Sequence, residues 1–224
     1  PTGEVLELSQ VRLLAPVTPI NVVCIGKNYA DHVKEMAGLT GGPSSTDVPT
    51  VFLKPATSVV GPGDAVRLPA GVGRVDHEGE LAVVIGKPAR DLTTDNALAH
   101  VWGYTAANDV TAREQQKSDG QWTRGKGHDT FCPIGPWIET DLDPSDLRVR
   151  CEVDEVLRQD GRTRDLIHDI PSVLAFITSF MTLLPGDVVL TGTPAGVAPL
   201  EPGNTVSVEV EGVGTLTNQV VARS

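Results

Sequence analysis

Three acidic residues of this 224-residue chain stand where apolar stretches begin or end. Glu78 and Glu80 are two positions apart at the start of an apolar run, so in an extended strand both side chains leave the same face. Asp109 directly follows a second strand-like run, residues 103–108. Neighbouring carboxylates repel one another unless one is protonated or a cation lies between them. Because the three offer only oxygen atoms, they favour Mg²⁺, Mn²⁺ or Ca²⁺ over zinc.

Each of these acids also has an ordinary explanation. Two glutamates can simply face solvent at a strand edge, and an aspartate at a strand-to-helix junction can be a helix N-cap. The three can also form a catalytic site that leaves metal positions open for substrate and water. A further alternative is a non-enzymatic β-domain in which they clamp a structural Ca²⁺, although such a clamp has no use for His32, Glu35 and Lys126.

Four other residues carry groups that catalysis uses. His32 and Glu35 are three positions apart on a predicted helix, within mutual reach. A carboxylate that is hydrogen-bonded to an imidazole fixes the ring tautomer and raises its basicity, as activation of a water molecule requires. Lys54 and Lys126 lie among Gly, Pro or apolar neighbours and could hold a substrate carboxylate. The alternatives are a surface ion pair and solvated amines.

The elements that must position these groups are mostly strands. Pro-Gly turns at residues 62–63, 185–186 and 202–203 predict type II geometry, and a strand-like run follows each. Residues 205–210 alternate apolar and polar side chains and predict a hairpin with residues 214–221. Further strands are predicted at residues 21–25, 50–54, 65–68, 80–85, 104–108, 148–153 and 188–191. Since the helices are few and show no βαβ spacing, we predict an α+β, β-rich fold with mostly antiparallel or mixed sheets.

Three helices are predicted, and one long loop follows the first. They are residues 29–37, capped by Asn28 and ended by Gly38, a short helix opened by Thr94 towards Val101, and residues 172–183, opened by Pro171 after Asp169. Residues 37–49 are rich in Gly, Ser, Thr and Pro, which predicts a surface loop that is either an active-site lid or a plain connector. No linker divides the chain, so residues 1–224 are predicted to form one catalytic domain.

Composition narrows the possible partners. A net charge of −11 argues against nucleic acid or an anionic membrane as a partner. The most apolar segment, residues 170–184, is too short and too polar to span a bilayer. Three cysteines without CxxC spacing predict small core residues in a reducing cytoplasm. The chain begins at Pro1 without a methionine, so a short N-terminal piece can be missing.

Five motifs, in order along nearly the whole chain, resemble those of the fumarylacetoacetate hydrolase family. They are residues 26–32 (GKNYADH), 52–55 (FLKP), 77–81 (HEGEL), 108–113 (NDVTAR) and 191–197 (TGTPAGV). The resemblance is closest to the branch of acylpyruvases, fumarylpyruvate hydrolases, oxaloacetate decarboxylases and 2-hydroxyhepta-2,4-diene-1,7-dioate isomerases. It implies a mixed β-sandwich roll with a few short helices, usually as a homodimer.

The resemblance also assigns roles to residues. It makes Glu78, Glu80 and Asp109 ligands of Mg²⁺ or Mn²⁺. It makes His32 and Glu35 the water-activating pair, and it places Lys126 near the metal, Thr193 at the substrate carboxylate, and Arg113, Gln116 and Lys54 in the substrate pocket. Two positions depart from the family pattern. Lys27 stands where the family often has arginine, and a lysine lacks the bidentate fork of arginine. Gly79 stands where the family has a bulkier residue, and we expect this position to face away from the metal.

The expected function is metal-dependent hydrolysis of a C–C bond in a small 2-oxo acid of the acylpyruvate type. Oxaloacetate decarboxylation needs the same enolate but no water, and a dienoate isomerase would only move a proton. The presence of both His32 and Glu35 favours hydrolysis.

Overall fold

The computed structural model describes residues 5–37 and 47–223. Within them lie four α-helices: α1 (Ala30–Met36), α2 (Arg113–Ser118), α3 (Thr123–Lys126) and α4 (Ile170–Phe180). The strands are β1 (Val22–Gly26), β2 (Thr50–Lys54), β3 (Val59–Val60), β4 (Val66–Leu68), β5 (Val75–Asp76), β6 (Gly79–Ile85), β7 (Val101–Asn108), β8 (Thr111–Ala112), β9 (Cys132–Glu139), β10 (Arg148–Val153), β11 (Val156–Arg162), β12 (Val188–Leu190), β13 (Thr205–Val210) and β14 (Gly214–Ala222). Short 3₁₀ helices cover Leu8–Gln10, Ala56–Ser58, Ala97–His100, Pro144–Asp146 and Thr163–Asp165.

The strands form two large mixed sheets that pack on one another. The seven-stranded sheet has the order β2-β1-β12-β6-β7-β9-β3, and the five-stranded sheet has the order β11-β10-β13-β14-β4. Most pairs are antiparallel, while β1 with β12, β3 with β9 and β14 with β4 are parallel. Strands β10 and β13 of the smaller sheet pack on β6 of the larger one. The predicted α+β, β-rich roll is therefore confirmed.

Strand β6 lies at the centre of the packing. All seven of its residues are buried, which explains why it is an uninterrupted apolar run after Glu80. Leu81, Val83 and Ile85 belong to the main core with the five-stranded sheet, whereas Ala82 and Val84 belong to a second apolar cluster. Burial on both faces fixes this strand rigidly, and its first residues carry the predicted metal ligands.

The turn and hairpin predictions hold. Gly63, Gly186 and Gly203 all have positive φ, as the third position of a type II turn requires. Strands β13 and β14 form the predicted hairpin. The predicted strand boundaries agree with the observed ones to within three residues, because hydrophobic patterning locates apolar strands well, but β3, β5, β8, β9 and β11 were not predicted.

Two details of the predicted helices are wrong. Asn28 does not cap α1. Tyr29 is the N-cap residue and makes no side-chain capping bond, while the Asn28 amide donates to the carbonyl oxygens of His168 and Thr191. A tertiary role has thus replaced the local one, although Asn28 still stands next to the helix. The segment opened by Thr94 forms only the 3₁₀ helix Ala97–His100.

The third helix is confirmed with shifted ends. Helix α4 spans Ile170–Phe180, so it starts two residues earlier and ends three residues earlier than predicted. The Asp169 side chain accepts a hydrogen bond from the Ser172 backbone amide and so caps helix α4. Gly38, the predicted end of the first helix, lies outside the described residues.

Cys24, Cys132 and Cys151 are buried and free, which confirms them as core residues. Among the described residues, we find no helix of the length and apolarity that crossing a membrane requires. The cytoplasmic location stays a prediction.

Candidate active site

The sheet itself brings the three acids together. Glu78 immediately precedes β6, Glu80 is its second residue, and Asp109 immediately follows the antiparallel neighbour β7. Gly79 pairs with Asn108 across the two strands, so the start of β6 lies beside the end of β7. One carboxylate oxygen from each acid lies within 4.8 Å of the other two, and all three residues are buried. The predicted convergence is confirmed.

Two buried lysines hold Asp109. Lys54 Nζ lies 2.6 Å from Asp109 Oδ1, and Lys126 Nζ lies 2.6 Å from Asp109 Oδ2 and 2.7 Å from Glu78 Oε2. The predicted proximity of Lys126 to the acids is therefore observed. Asp109 is also no N-cap, because Ala112 occupies that position of α2.

Arg113 supports the other side of Glu78. Its guanidinium lies 2.7 Å from Glu78 Oε1, and its Nε donates to Asp76 Oδ2 at 2.7 Å. Its Nη1 donates to Gln116 Oε1 at 3.1 Å. Burial raises the pKa of the Glu78 carboxyl, but the charges of Lys126 and Arg113 outweigh burial and leave that pKa lowered. Glu78 is therefore ionised.

Glu80 has a different environment. Its Oε2 accepts from the Gly192 backbone amide at 2.6 Å, and the ion pairs of the described residues do not include it. Burial raises the pKa of the Glu80 carboxyl well above its usual range, and the charges of Asp109 and Glu78 raise it further. The cluster is thus short of positive charge at Glu80. An all-oxygen donor set with this deficit fits a divalent cation held by Glu78, Glu80 and Asp109.

The predicted pair of His32 and Glu35 lies beside this cluster. His32 Nδ1 is 3.2 Å from Glu35 Oε2, and Glu35 also accepts from the Gly196 amide at 3.1 and 3.2 Å. Partial burial raises the pKa of Glu35, but the hydrogen bonds from His32, Gly196 and Val197 outweigh it and leave the pKa lowered. The ring is therefore held from its Nδ1 side by an ionised carboxylate.

One cavity collects most of the predicted site residues. It is lined by His32, Glu78, Glu80, Asp109, Arg113, Gln116, Lys126 and Thr193. Lys27 and Trp122 also line it, and the sequence analysis did not single out Trp122. Lys54 and Glu35 do not line it. Each instead contacts a residue that does, so the predicted substrate contact of Lys54 finds no support in its position.

Three supporting residues were missed by the sequence analysis. Asp76 is buried and orients Arg113, and it adjoins the recognised glutamates, so its position in the motif was an available signal. Gly192 donates to Glu80 from within a recognised motif. Gln159 lies in a polar stretch that gives no signal, yet it contacts the strand that carries the glutamates.

The interpretation of Gly79 holds. A Cβ at this position would lie 3.1 Å from Cys151 Cβ and 3.2 Å from Val208 Cγ1, so this side of the strand faces the five-stranded sheet. The predicted lid, residues 37–49, falls mostly on residues 38–46, which lie outside the described residues. The lid stays a prediction.

Comparison with known proteins identifies several relatives of this chain. A crystal structure of 2-hydroxyhepta-2,4-diene-1,7-dioate isomerase from Mycobacterium marinum is 52% identical with a TM-score of 0.91, covering 100% of this chain and 82% of that one. The mitochondrial oxaloacetate tautomerase of Homo sapiens is 43% identical over 230 residues, which are 97% of this chain and 72% of the human protein.

A third relative contains a metal. The crystal structure of maleylpyruvate hydrolase from Sphingobium sp. SYK-6, in complex with manganese(II) and pyruvate, is 38% identical with a TM-score of 0.84, covering 98% of this chain and 77% of that one. Residues 21–221 match the model of the family described as Fumarylacetoacetate (FAA) hydrolase C-terminal. The chain therefore belongs to the fumarylacetoacetate hydrolase family.

Proposed function

We propose that this protein is an enzyme that uses Mg²⁺ or Mn²⁺ to convert a small 2-oxo acid through its enolate, and that its reaction is hydrolysis of an acylpyruvate. The observation that carries the proposal is the shared cavity. The acidic triad of Glu78, Glu80 and Asp109 and the ring of His32 line the same space. A site for cation binding alone would not need a base that is itself held by a carboxylate.

The triad would hold the cation, and the surrounding basic residues keep the carboxylates of the triad in position. When bound, the cation supplies Lewis-acid stabilisation of the negative charge that develops on the keto oxygen of the substrate. Lys126 bridges Glu78 and Asp109, and Arg113 fixes the second oxygen of Glu78. These contacts orient Glu78 and Asp109 within the folded chain before substrate arrives.

His32 is the proposed general base. Its contact with Glu35 engages Nδ1, which leaves Nε2 as the atom that can accept a proton. In the hydrolysis, Nε2 takes a proton from water and the hydroxide adds to the C4 carbonyl. The C3–C4 bond then breaks, its electron pair remains with C3 as the enolate, and protonation yields a 2-oxo acid and a carboxylic acid. Glu35 stabilises the charged imidazolium that forms.

A second candidate reaction is proton transfer without cleavage. The relatives at 52% and 43% identity are named as an isomerase and an oxaloacetate tautomerase, and such reactions move a proton between carbon and oxygen. The same His32 could act as that base. Decarboxylation of oxaloacetate would use the same enolate and would depend least on His32.

The roles of His32 in these reactions can be separated by kinetics. His32→Ala should lower acylpyruvate hydrolysis by about 10²–10⁴-fold, the usual contribution of a positioned base, and lower oxaloacetate decarboxylation much less. Glu35→Gln should show the same selectivity more weakly, since it keeps the imidazole. His100→Ala, outside the cavity, is the matched control. The three variants and the wild type would be assayed with Mn²⁺ on an acylpyruvate and on oxaloacetate, following both decarboxylation and keto–enol exchange.

Wild-type enzyme that exchanges the tautomers of oxaloacetate but leaves acylpyruvates intact would replace hydrolysis by the second candidate. Equal losses on all substrates in His32→Ala would remove the assignment of His32 as the hydrolytic base. The homodimer implied by the family resemblance also stays a proposal, which sedimentation of the purified protein would test.

A further inference from the structure

Gln159 is a buried polar residue with no part in the proposed chemistry. It lies on β11, an edge strand of the five-stranded sheet, and it is the one residue of that strand that is buried. An apolar side chain is the usual choice for the buried position of an edge strand. Gln159 instead makes four hydrogen bonds, all to residues at the entrance to β6 or in the loop after β12.

The orientation of the Gln159 amide is fixed by two backbone partners. The Gly79 amide, which can only donate, lies 2.9 Å from Oε1. The Pro194 carbonyl, which can only accept, lies 2.7 Å from Nε2. Neither partner tolerates a flipped amide, so Oε1 and Nε2 are assigned by chemistry. His77 Nδ1, at 3.0 Å from Oε1, must then be a donor.

This orientation also determines where the Thr193 hydroxyl proton points. Gln159 Nε2 donates to Thr193 Oγ1 at 2.7 Å, and Thr193 Oγ1 donates to the Gly79 carbonyl at 2.8 Å. The three residues thus form a closed ring, in which the Gly79 amide and carbonyl are both engaged. The Thr193 proton is donated within the ring, so a substrate carboxylate would have to compete with the Gly79 carbonyl for it.

We propose that Gln159 is a positioning residue that, through this ring with Gly79 and Thr193, sets the spacing of Glu78 and Glu80 for binding of the divalent cation. Gly79 stands between the two glutamates, and its backbone amide and carbonyl are both held by the ring. On the side where a Cβ would stand, Gly79 lies close to Cys151 and Val208, so these side chains prevent the strand from moving in that direction. The inference rests on the proposed function, because it requires that the triad binds a cation.

The test is the affinity for Mn²⁺, measured by electron paramagnetic resonance titration without substrate. Gln159→Met removes all four hydrogen bonds at similar side-chain length. It should weaken Mn²⁺ binding by about 10–100-fold, the usual effect of losing a partner that supports metal ligands. The matched control is Asn218→Leu. Asn218 is also a buried amide of the five-stranded sheet, but it donates to the Gly61 and Asp64 carbonyls away from the triad. It should lose thermal stability without losing Mn²⁺ affinity.

A second pair of variants keeps the test decisive if Gln159→Met does not fold. Thr193→Val breaks the ring at its hydroxyl, whereas Thr193→Ser keeps it. We expect Thr193→Val to weaken Mn²⁺ binding by about 10-fold or more and Thr193→Ser to retain wild-type affinity. When Gln159→Met and Thr193→Val are combined, the loss of Mn²⁺ affinity should be less than the sum of the two single losses in free energy, because both changes open the same ring.

The outcomes separate the inference from the proposed function. Wild-type protein that binds no Mn²⁺ would overturn the proposed function. Wild-type protein that binds Mn²⁺, with Gln159→Met or Thr193→Val binding it equally well, would overturn the positioning role alone. Equal weakening in Asn218→Leu would also overturn it, because the effect would then report general destabilisation.

Discussion

The two sheets use the same kinds of charged residues in opposite ways. Where strands of the seven-stranded sheet end, Asp109 and its partners Lys54 and Lys126 have side chains that are at most 2% exposed. On the outer face of the five-stranded sheet, Arg148 and Asp160 form an ion pair whose side chains are 47% and 37% exposed. Water already solvates the second pair, while the first depends entirely on its partners.

The difference shows that the buried charges beside Asp109, and not the exposed pair, lose hydration free energy on folding. Ionic groups lose several kcal/mol of hydration when they are buried, and mutual attraction repays this only when the geometry is good. Apolar residues could fill the same volume at no such cost. The buried cluster therefore indicates function, whereas the exposed pairs contribute about 0–1 kcal/mol each and indicate little.

The largest expected contrast is in stability. Asp109→Ala leaves Lys54 and Lys126 buried without their shared carboxylate and should lower the free energy of unfolding by about 3–5 kcal/mol. Asp160→Ala, the matched change on the exposed face, should cost about 0–1 kcal/mol. Urea unfolding in EDTA compares the two without a contribution from bound metal. Similar costs for both variants would remove the distinction between the sheets.

A smaller effect is expected for the pair of His32 and Glu35, which lies between the two classes in exposure. The pKa of Glu35 is lowered from its ordinary value of 4.5, so its ionised form stabilises the fold. That stabilisation is fully present above about pH 5 and is lost as the pH falls through the folded pKa.

The corresponding measurement compares wild type with Glu35→Gln across acidic pH. The difference in their unfolding free energies should be about 1 kcal/mol or less near neutral pH and should shrink below about pH 4. A difference that stays constant, or grows towards low pH, would mean that the Glu35 charge does not stabilise the folded protein.

The sequence predicts apolar strands such as β6 well, but it misses β9 and β11 and predicts the local caps poorly, for a physical reason. Buried strands such as β6 leave a continuous apolar signature that survives any tertiary arrangement. Asn28 shows the opposite case. Its position favours a helix cap, but its side-chain amide donates instead to the Thr191 carbonyl, 163 residues away in sequence. Contacts of that kind have no local pattern.

The residues of the site differ from one another in the same way. Glu78, Glu80 and Asp109 could be found because each stands at one end of an apolar, strand-like run and within a motif of the family. Gln159 could not, since its importance arises from bonds to Gly79 and Thr193, 80 and 34 residues away. Only the packed sheets bring these residues together.

The central claim is that the three acids hold a divalent cation, and Glu80 offers the most direct test. Because the ion pairs of the described residues do not include Glu80, replacing it leaves no buried cation without a partner. Glu80→Ala should therefore remain folded, so a loss of binding can be attributed to the lost ligand.

Titration with Mn²⁺, followed by electron paramagnetic resonance with and without oxalate, compares this variant with wild type and with the surface control Glu209→Ala. Wild type and Glu209→Ala should bind one Mn²⁺ per chain, and oxalate should tighten it. Glu80→Ala should bind at least about 100-fold more weakly, since losing a ligand costs more than losing its support. Binding of Mn²⁺ by Glu80→Ala with wild-type affinity, or no binding by wild type, would contradict the account.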